Sequence, residues 1–109
     1  MGSLARAARQ GDNDKAICAK QCKFCPHLRT GRITSGSGNV IIEGKGAARQ
    51  GDSINCQCPH GGSGKIIDGS RTVFANGKPM ARVRDNTKCN KCGLIGSIIT
   101  GASTVFVGE

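Results

Sequence analysis

The chain carries the same message three times within 109 residues. Ala7-Ala8-Arg9-Gln10-Gly11-Asp12 recurs letter for letter at Ala47 to Asp52, and a looser copy, Ala81-Arg82-Val83-Arg84-Asp85, follows. Behind each copy comes a cluster of Cys or of Cys and His. A β-prone run then follows: Gly31-Arg32-Ile33 to Glu43, Gly64-Lys65-Ile66 to Ala75, and Gly96-Ser97-Ile98 to Val107. A unit this short cannot bury an apolar face alone, so the copies must share one core. Equivalent positions are therefore expected to meet around a common pseudo-threefold axis.

There is room for one domain, residues 1–109, with repeats at approximately 7–46, 47–80 and 81–109. A chain of this size buries only about 60 to 70 % of its extended surface on folding. With three Phe, no Trp and no Tyr, the core is thin, and a cross-link is expected to supplement it. The seven Cys are the obvious source. An odd number cannot all pair within one chain, and no N-terminal stretch has the long apolar core of a signal peptide or membrane span. The thiols read as reduced and made in a cytoplasm, where clustered Cys more often bind metal.

Net charge is +9, from 16 Lys and Arg against 7 Asp and Glu, which suits nucleic acid, an anionic membrane surface or an acidic protein. The cations are nevertheless dispersed, and the aromatic platform that stacks single-stranded bases is nearly missing. A solvated basic surface is the expectation, with no nucleic acid partner and no small-molecule substrate.

Seventeen Gly punctuate the chain too often for helices, and the segments between them are β-branched, so the fold class is all-β. In the second repeat, Asp68-Gly69 and Asn76-Gly77 separate Lys65-Ile66-Ile67, Arg71 to Phe74 and Pro79 to Val83. Both dipeptides favour turns with positive φ, which predicts a three-strand meander. Asp12, Asp52 and Asp85 read as turn residues following the Arg rather than as acid/base groups. No Ser/His/Asp arrangement, paired acid motif or phosphate-cradling Gly loop stands out, so no enzymatic activity is expected.

Aligned on the Gly-x-Ile that opens each run, His27, His60 and Cys92 all lie four residues before the Gly. A pseudo-threefold would bring all three to the axis. Three symmetric ligands and one extra complete a tetrahedral zinc site, and imidazole with thiolate favours zinc over oxygen-preferring ions. Cys58, two before His60, is the first choice for the fourth ligand. Cys56 and Cys89 each lie four residues after an Asp of the repeat and are substitutes, and Cys25 matches Cys58 because both begin Cys-Pro-His. Cys22-x-x-Cys25 and Cys89-x-x-Cys92 leave room for a second thiolate-rich site, and for a thiol oxidoreductase, although no thioredoxin-like βαβ pattern accompanies them. A closed four-coordinate site is structural, and such binding decides whether small domains fold.

These residues resemble the PAAR-repeat family, the proline-alanine-alanine-arginine proteins of type VI secretion systems and contractile phage tails. Asn76-Gly77-Lys78-Pro79-Met80-Ala81-Arg82-Val83 is close to the family signature, with Met80 for the first Ala, and Gly69-Ser70-Arg71-Thr72-Val73-Phe74 matches its Gly-Ser-x-x-Val-Phe hairpin, echoed at Gly101 to Phe106. The signature Pro is missing before Ala47, and Arg84 replaces the usual Gly. The resemblance implies a small β cone with a zinc near its vertex and a flat base seated on a trimeric β-helical spike, one cap per trimer. It also implies a non-enzymatic tip, made without a signal peptide and delivered outside the cell or carried on a phage-like particle, that transiently meets the target membrane. No further domain accompanies the cone, which implies a bare tip. The alternative is a basic zinc-binding module that binds nucleic acid.

Overall fold

Short β-branched runs that alternate inward and outward side chains can leave no edge only by closing on themselves. In the computed structural model, which describes residues 4–18, 27–57, 63–90 and 95–108, they do so. Twelve strands form among those residues, and no helix. Six make a closed antiparallel barrel: β2 (Asn13–Cys18), β3 (His27–Ile33), β6 (Ser53–Gln57), β7 (Ser63–Ile66), β10 (Asn86–Cys89) and β11 (Ile95–Ile98). Each repeat contributes one hairpin, β2–β3, β6–β7 or β10–β11, and the seams β3–β6, β7–β10 and β11–β2 join them.

The barrel is filled from alternate positions. Ile33, Ile66 and Ile98 occupy equivalent sites, each N–H donating to the carbonyl of Asp12, Asp52 or Asp85 at 2.8–3.0 Å. With Ile54, Cys56 and Cys89 they form one buried cluster that reaches Ala8, Ala48 and Ala81. The position two residues beyond each repeat Asp is Asp14, Ile54 and Thr87, and the fully buried Asp14 carboxylate accepts the Thr87 hydroxyl. Gly64 is obligatory at its seam: a β-carbon there would stand 2.1 Å from the Lys88 carbonyl oxygen.

Below the barrel the three Ala-Arg segments, Ala8-Arg9, Ala48-Arg49 and Ala81-Arg82, meet on the axis. Ala8 N–H donates to Ala81, Ala81 to Ala48, and Ala48 to Ala8, at 2.9–3.0 Å, a closed ring of three backbone hydrogen bonds. All three side chains have no exposed surface. Backbones this close leave space for a methyl group and little more, which explains the small residues of the motif.

A second cluster lies under that ring, where Ala7, Ile42, Ala47, Ala75, Met80, Ala102 and Val107 pack with Val40, Val73 and Val105. It is covered by three two-residue ladders: β4 (Ile41–Ile42) with β5 (Lys45–Gly46), β8 (Phe74–Ala75) with β9 (Lys78–Pro79), and β12 (Phe106–Val107) with β1 (Ala5–Arg6). The third ladder thus closes the last repeat with the first strand of the chain.

Asn76-Gly77 forms the expected hairpin turn, with φ of 54° and 78°, and Glu43-Gly44 repeats it with 52° and 82°. Asp68-Gly69 does not. The meander expected there is corrected to a strand, a crossing segment and a base hairpin. Both edges of β7 are already taken by β6 and β10, so residues 67–73 cannot pair back on it and instead cross to the base. Ser70 Oγ accepts the Thr72 and Val73 N–H groups on the way.

Candidate functional site

Each Arg of the repeat sits at the start of a tight turn that brings its Asp three residues on back beneath it. The Asp N–H donates to the Arg carbonyl at 3.0 Å in all three copies. The Asp carboxylate in turn accepts the Arg backbone N–H, Nε and Nη2, at 2.7–3.1 Å: Arg9 with Asp12, Arg49 with Asp52, Arg82 with Asp85. Such two-pronged pairing in a largely buried setting uses the planar guanidinium fork in a way Lys cannot. The hydrogen bond to Asp12 raises the Arg9 pKa, and that to Asp52 the Arg49 pKa.

The remaining guanidinium nitrogen reaches the base. Arg9 Nη1 donates to Glu43 at 2.9 Å, Arg49 Nη1 to Asn76 at 3.1 Å, and Arg82 Nη1 to the Gly108 carbonyl at 3.0 Å. Glu43 also accepts the backbone and hydroxyl groups of Ser103 and Thr104 from the third repeat. Asn76 makes the corresponding tie to Ser37 and Asn39 of the first. The Thr104 hydroxyl, followed by the backbone and hydroxyl donors around it, pulls the Glu43 pKa down to about 2. The base hairpins are therefore fixed by charge and hydrogen bonds as well as by their small core.

What they display is apolar. The first strand residue of each ladder, Ile41, Phe74 or Phe106, points away from the core and is 53–56 % exposed, and Leu4 beside them is 71 % exposed. The partner residues Ile42, Ala75 and Val107 face inward. Three large hydrophobes at equivalent positions on one face form a threefold apolar surface, the kind that marks an interaction site.

At the opposite end, β2, β6 and β10 finish and β3, β7 and β11 begin. The candidate zinc ligands fall in sequence at or between these strand ends. His27 starts β3, at the register opposite Cys18; Cys25, Cys58, His60 and Cys92, with Cys22 of the second-site candidate, lie outside the described residues. Cys56 and Cys89, the substitutes for the fourth ligand, sit at equivalent places inside the barrel on β6 and β10, 3 % and 0 % exposed. Among the described residues no group of three or more metal-binding side chains assembles. The antiparallel topology puts the strand ends that flank all three Cys and Cys/His segments at one end of the barrel, and two imidazoles with thiolates are a donor set that suits zinc.

Sequence reasoning found the triplication but missed the Arg–Asp clamps. The constant spacing of Arg and Asp in all three copies was the available signal, since a side chain three residues on across a tight turn returns to its partner.

The fold and its site define a small all-β protein of three pseudo-threefold repeats, with a ring of Arg–Asp pairs above an apolar base. The motif that builds the ring identifies it further. The family model for the PAAR motif matches twice, over residues 5–61 and 59–109, and the chain belongs to the PAAR-motif family, whose known setting is the spike of type VI secretion systems and contractile phage tails. No curated protein matches the chain.

Proposed function

We propose that this protein is a zinc-stabilised, non-enzymatic tip that caps the trimeric β-helical spike of a contractile injection machine, one cap per trimer, and is pushed through a target envelope by sheath contraction. The base carries the proposal. Ile41, Phe74 and Phe106 repeat with the pseudo-threefold, so a single chain presents a matching face to each chain of a trimer. Lys45 and Lys78 lie on the second strands of the same hairpins and are exposed, which favours an apolar spike end with an acidic rim. His27, His60, Cys92 and Cys58 would hold the zinc at the narrow end, with Cys25, Cys56 or Cys89 as alternatives for the fourth place. That metal would supply a structural clamp joining the three connections between β2 and β3, β6 and β7, and β10 and β11, in which most of these residues fall in sequence.

Native mass spectrometry of the protein with its cognate spike tests the cap: one chain per trimer is expected, and three chains or no association refutes it. Phe74→Ser with Phe106→Ser should abolish the complex while leaving the fold. Elemental analysis should find about one zinc per chain, lost together with stability in His60→Ala. A folded, thermally unchanged metal-free protein refutes the zinc.

One observation favours the second reading, a basic module for nucleic acid. Lys15, Arg32, Lys65 and Lys88 are exposed on the barrel wall, and no described acid shares those strands' outward positions. Lys65 and Lys88 even stand opposite each other across β7 and β10. Binding to DNA or RNA at physiological salt, with steep salt dependence, would support it and contradict the tip.

A further inference from the structure

The pseudo-threefold is broken at one turn. After Arg9 and Arg49 come Gln-Gly pairs, with Gly11 at φ 96° and Gly51 at φ 93°. The Gln10 and Gln50 amides donate to the carbonyls of Thr34 and Ile67. In the third repeat Val83-Arg84 stands there, and Arg84 adopts φ 84°. This is the left-handed region, which a side chain enters only at a steric cost. Arg84 is exposed, so no core packing requires a side chain in that conformation. Strain held at an exposed position is the pattern of a functional site.

The surroundings differ as well. A groove runs between this turn and the adjacent base hairpin in the first repeat, lined by Gln10, Gly11, Arg32, Thr34, Gly44 and Lys45. Its counterpart in the third repeat, about 510 Å³, has an apolar floor of Leu4, Val83 and Phe106 under Arg6 and Arg84. Arg82 and Asp85 close one side and are committed to each other. Among the described residues, Arg6 and Arg84 meet no acid. Two unneutralised guanidinium groups over an apolar floor complement carboxylates flanking an apolar side chain, and each presents the fork that pairs with a carboxylate through two hydrogen bonds.

We infer that this groove binds an extended acidic peptide segment with an apolar residue between its carboxylates, supplied by a partner present in one copy. A threefold partner would call for the same chemistry in all three grooves. Of the two grooves described, only that of the third repeat has it. A nucleic acid would use the guanidinium charge alone and leave Leu4 and Phe106 unused, and a lipid surface would meet apolar side chains on an open face rather than between the walls of a groove, so the peptide is the better fit. The site shares Phe106 with the base, but the two arginines that define it, Arg6 and Arg84, have no equivalent at the other two turns, so their variants test it separately from the spike reading.

The test uses the zinc-loaded full chain and a fluorescein-labelled hexapeptide alternating glutamate and leucine, with its glutamine counterpart as control, followed by fluorescence anisotropy. The glutamate peptide should bind at least tenfold tighter than the control. Arg84→Gly should weaken it tenfold or more while raising the unfolding temperature, which separates lost recognition from lost structure. Arg6→Gln should weaken it similarly, and Lys65→Gln on the barrel wall should not. The assignment is overturned if Arg84→Gly leaves affinity unchanged, if Lys65→Gln is as damaging, or if the glutamine peptide binds equally. A single-stranded oligonucleotide or an anionic phospholipid vesicle that binds more tightly than the peptide with the same dependence on Arg84 overturns it too.

Discussion

Asp52 is 4 % exposed and accepts three bonds from one arginine, so its charge is tolerable only while that arginine is present. Arg49→Ala should cost about 3 kcal/mol or more, because truncation leaves a buried carboxylate without its counter-charge. Equilibrium urea unfolding reads it out, and Arg49→Lys should recover little, since an ammonium cannot fork. Glu43 offers the pH counterpart. Its folded pKa near 2 lies below the ordinary 4.5, so it contributes stability that is fully present above about pH 4.5 and is lost as pH falls toward 2. In Glu43→Gln that part of the acid slope should disappear, while stability at neutral pH drops; an unchanged slope between pH 4.5 and 2 would show that the ties to Thr104 and Ser103 do not hold the carboxylate in solution.

Among elements, the seams decide more than the turns. Gly64→Ala drives a methyl group into the Lys88 carbonyl at 2.1 Å and should cost about 3 kcal/mol by forcing β7 and β10 apart. Gly38→Ala meets no atom within 4 Å and should change stability by less than about 0.5 kcal/mol. The pair, compared by denaturant midpoint, separates sheet contact from glycine content. These contrasts also show how far the sequence could be read. Asn76-Gly77 announced its hairpin because the turn is local. Asp68-Gly69 carried an equally strong signal and failed, since what decides there is that β6 and β10 occupy both edges of β7, a non-local fact. The repeat itself exposed the axis, but not that the axis is a ring of backbone bonds through Ala8, Ala48 and Ala81. The candidate metal ligands rest on spacing alone; four of them, Cys25, Cys58, His60 and Cys92, lie outside the described residues, and Cys56 and Cys89 are placed within the apolar barrel core.

For the whole molecule, the three repeats are not laid side by side but interlocked, each base hairpin tied to its own arginine and to a neighbouring repeat. The last ladder depends on the first strand. Removing residues 1–6 should strip β12 of its partner, expose Val107 and lower cooperativity as well as stability, seen as a broadened thermal transition. The same pairing has a second consequence. Because Ala5 lies directly opposite Val107, the first and last strands of the fold lie side by side. Residues 1–109 joined by a short linker between those strands and reopened at the exposed Gly38 should fold to the same barrel, with the second repeat then leading the chain.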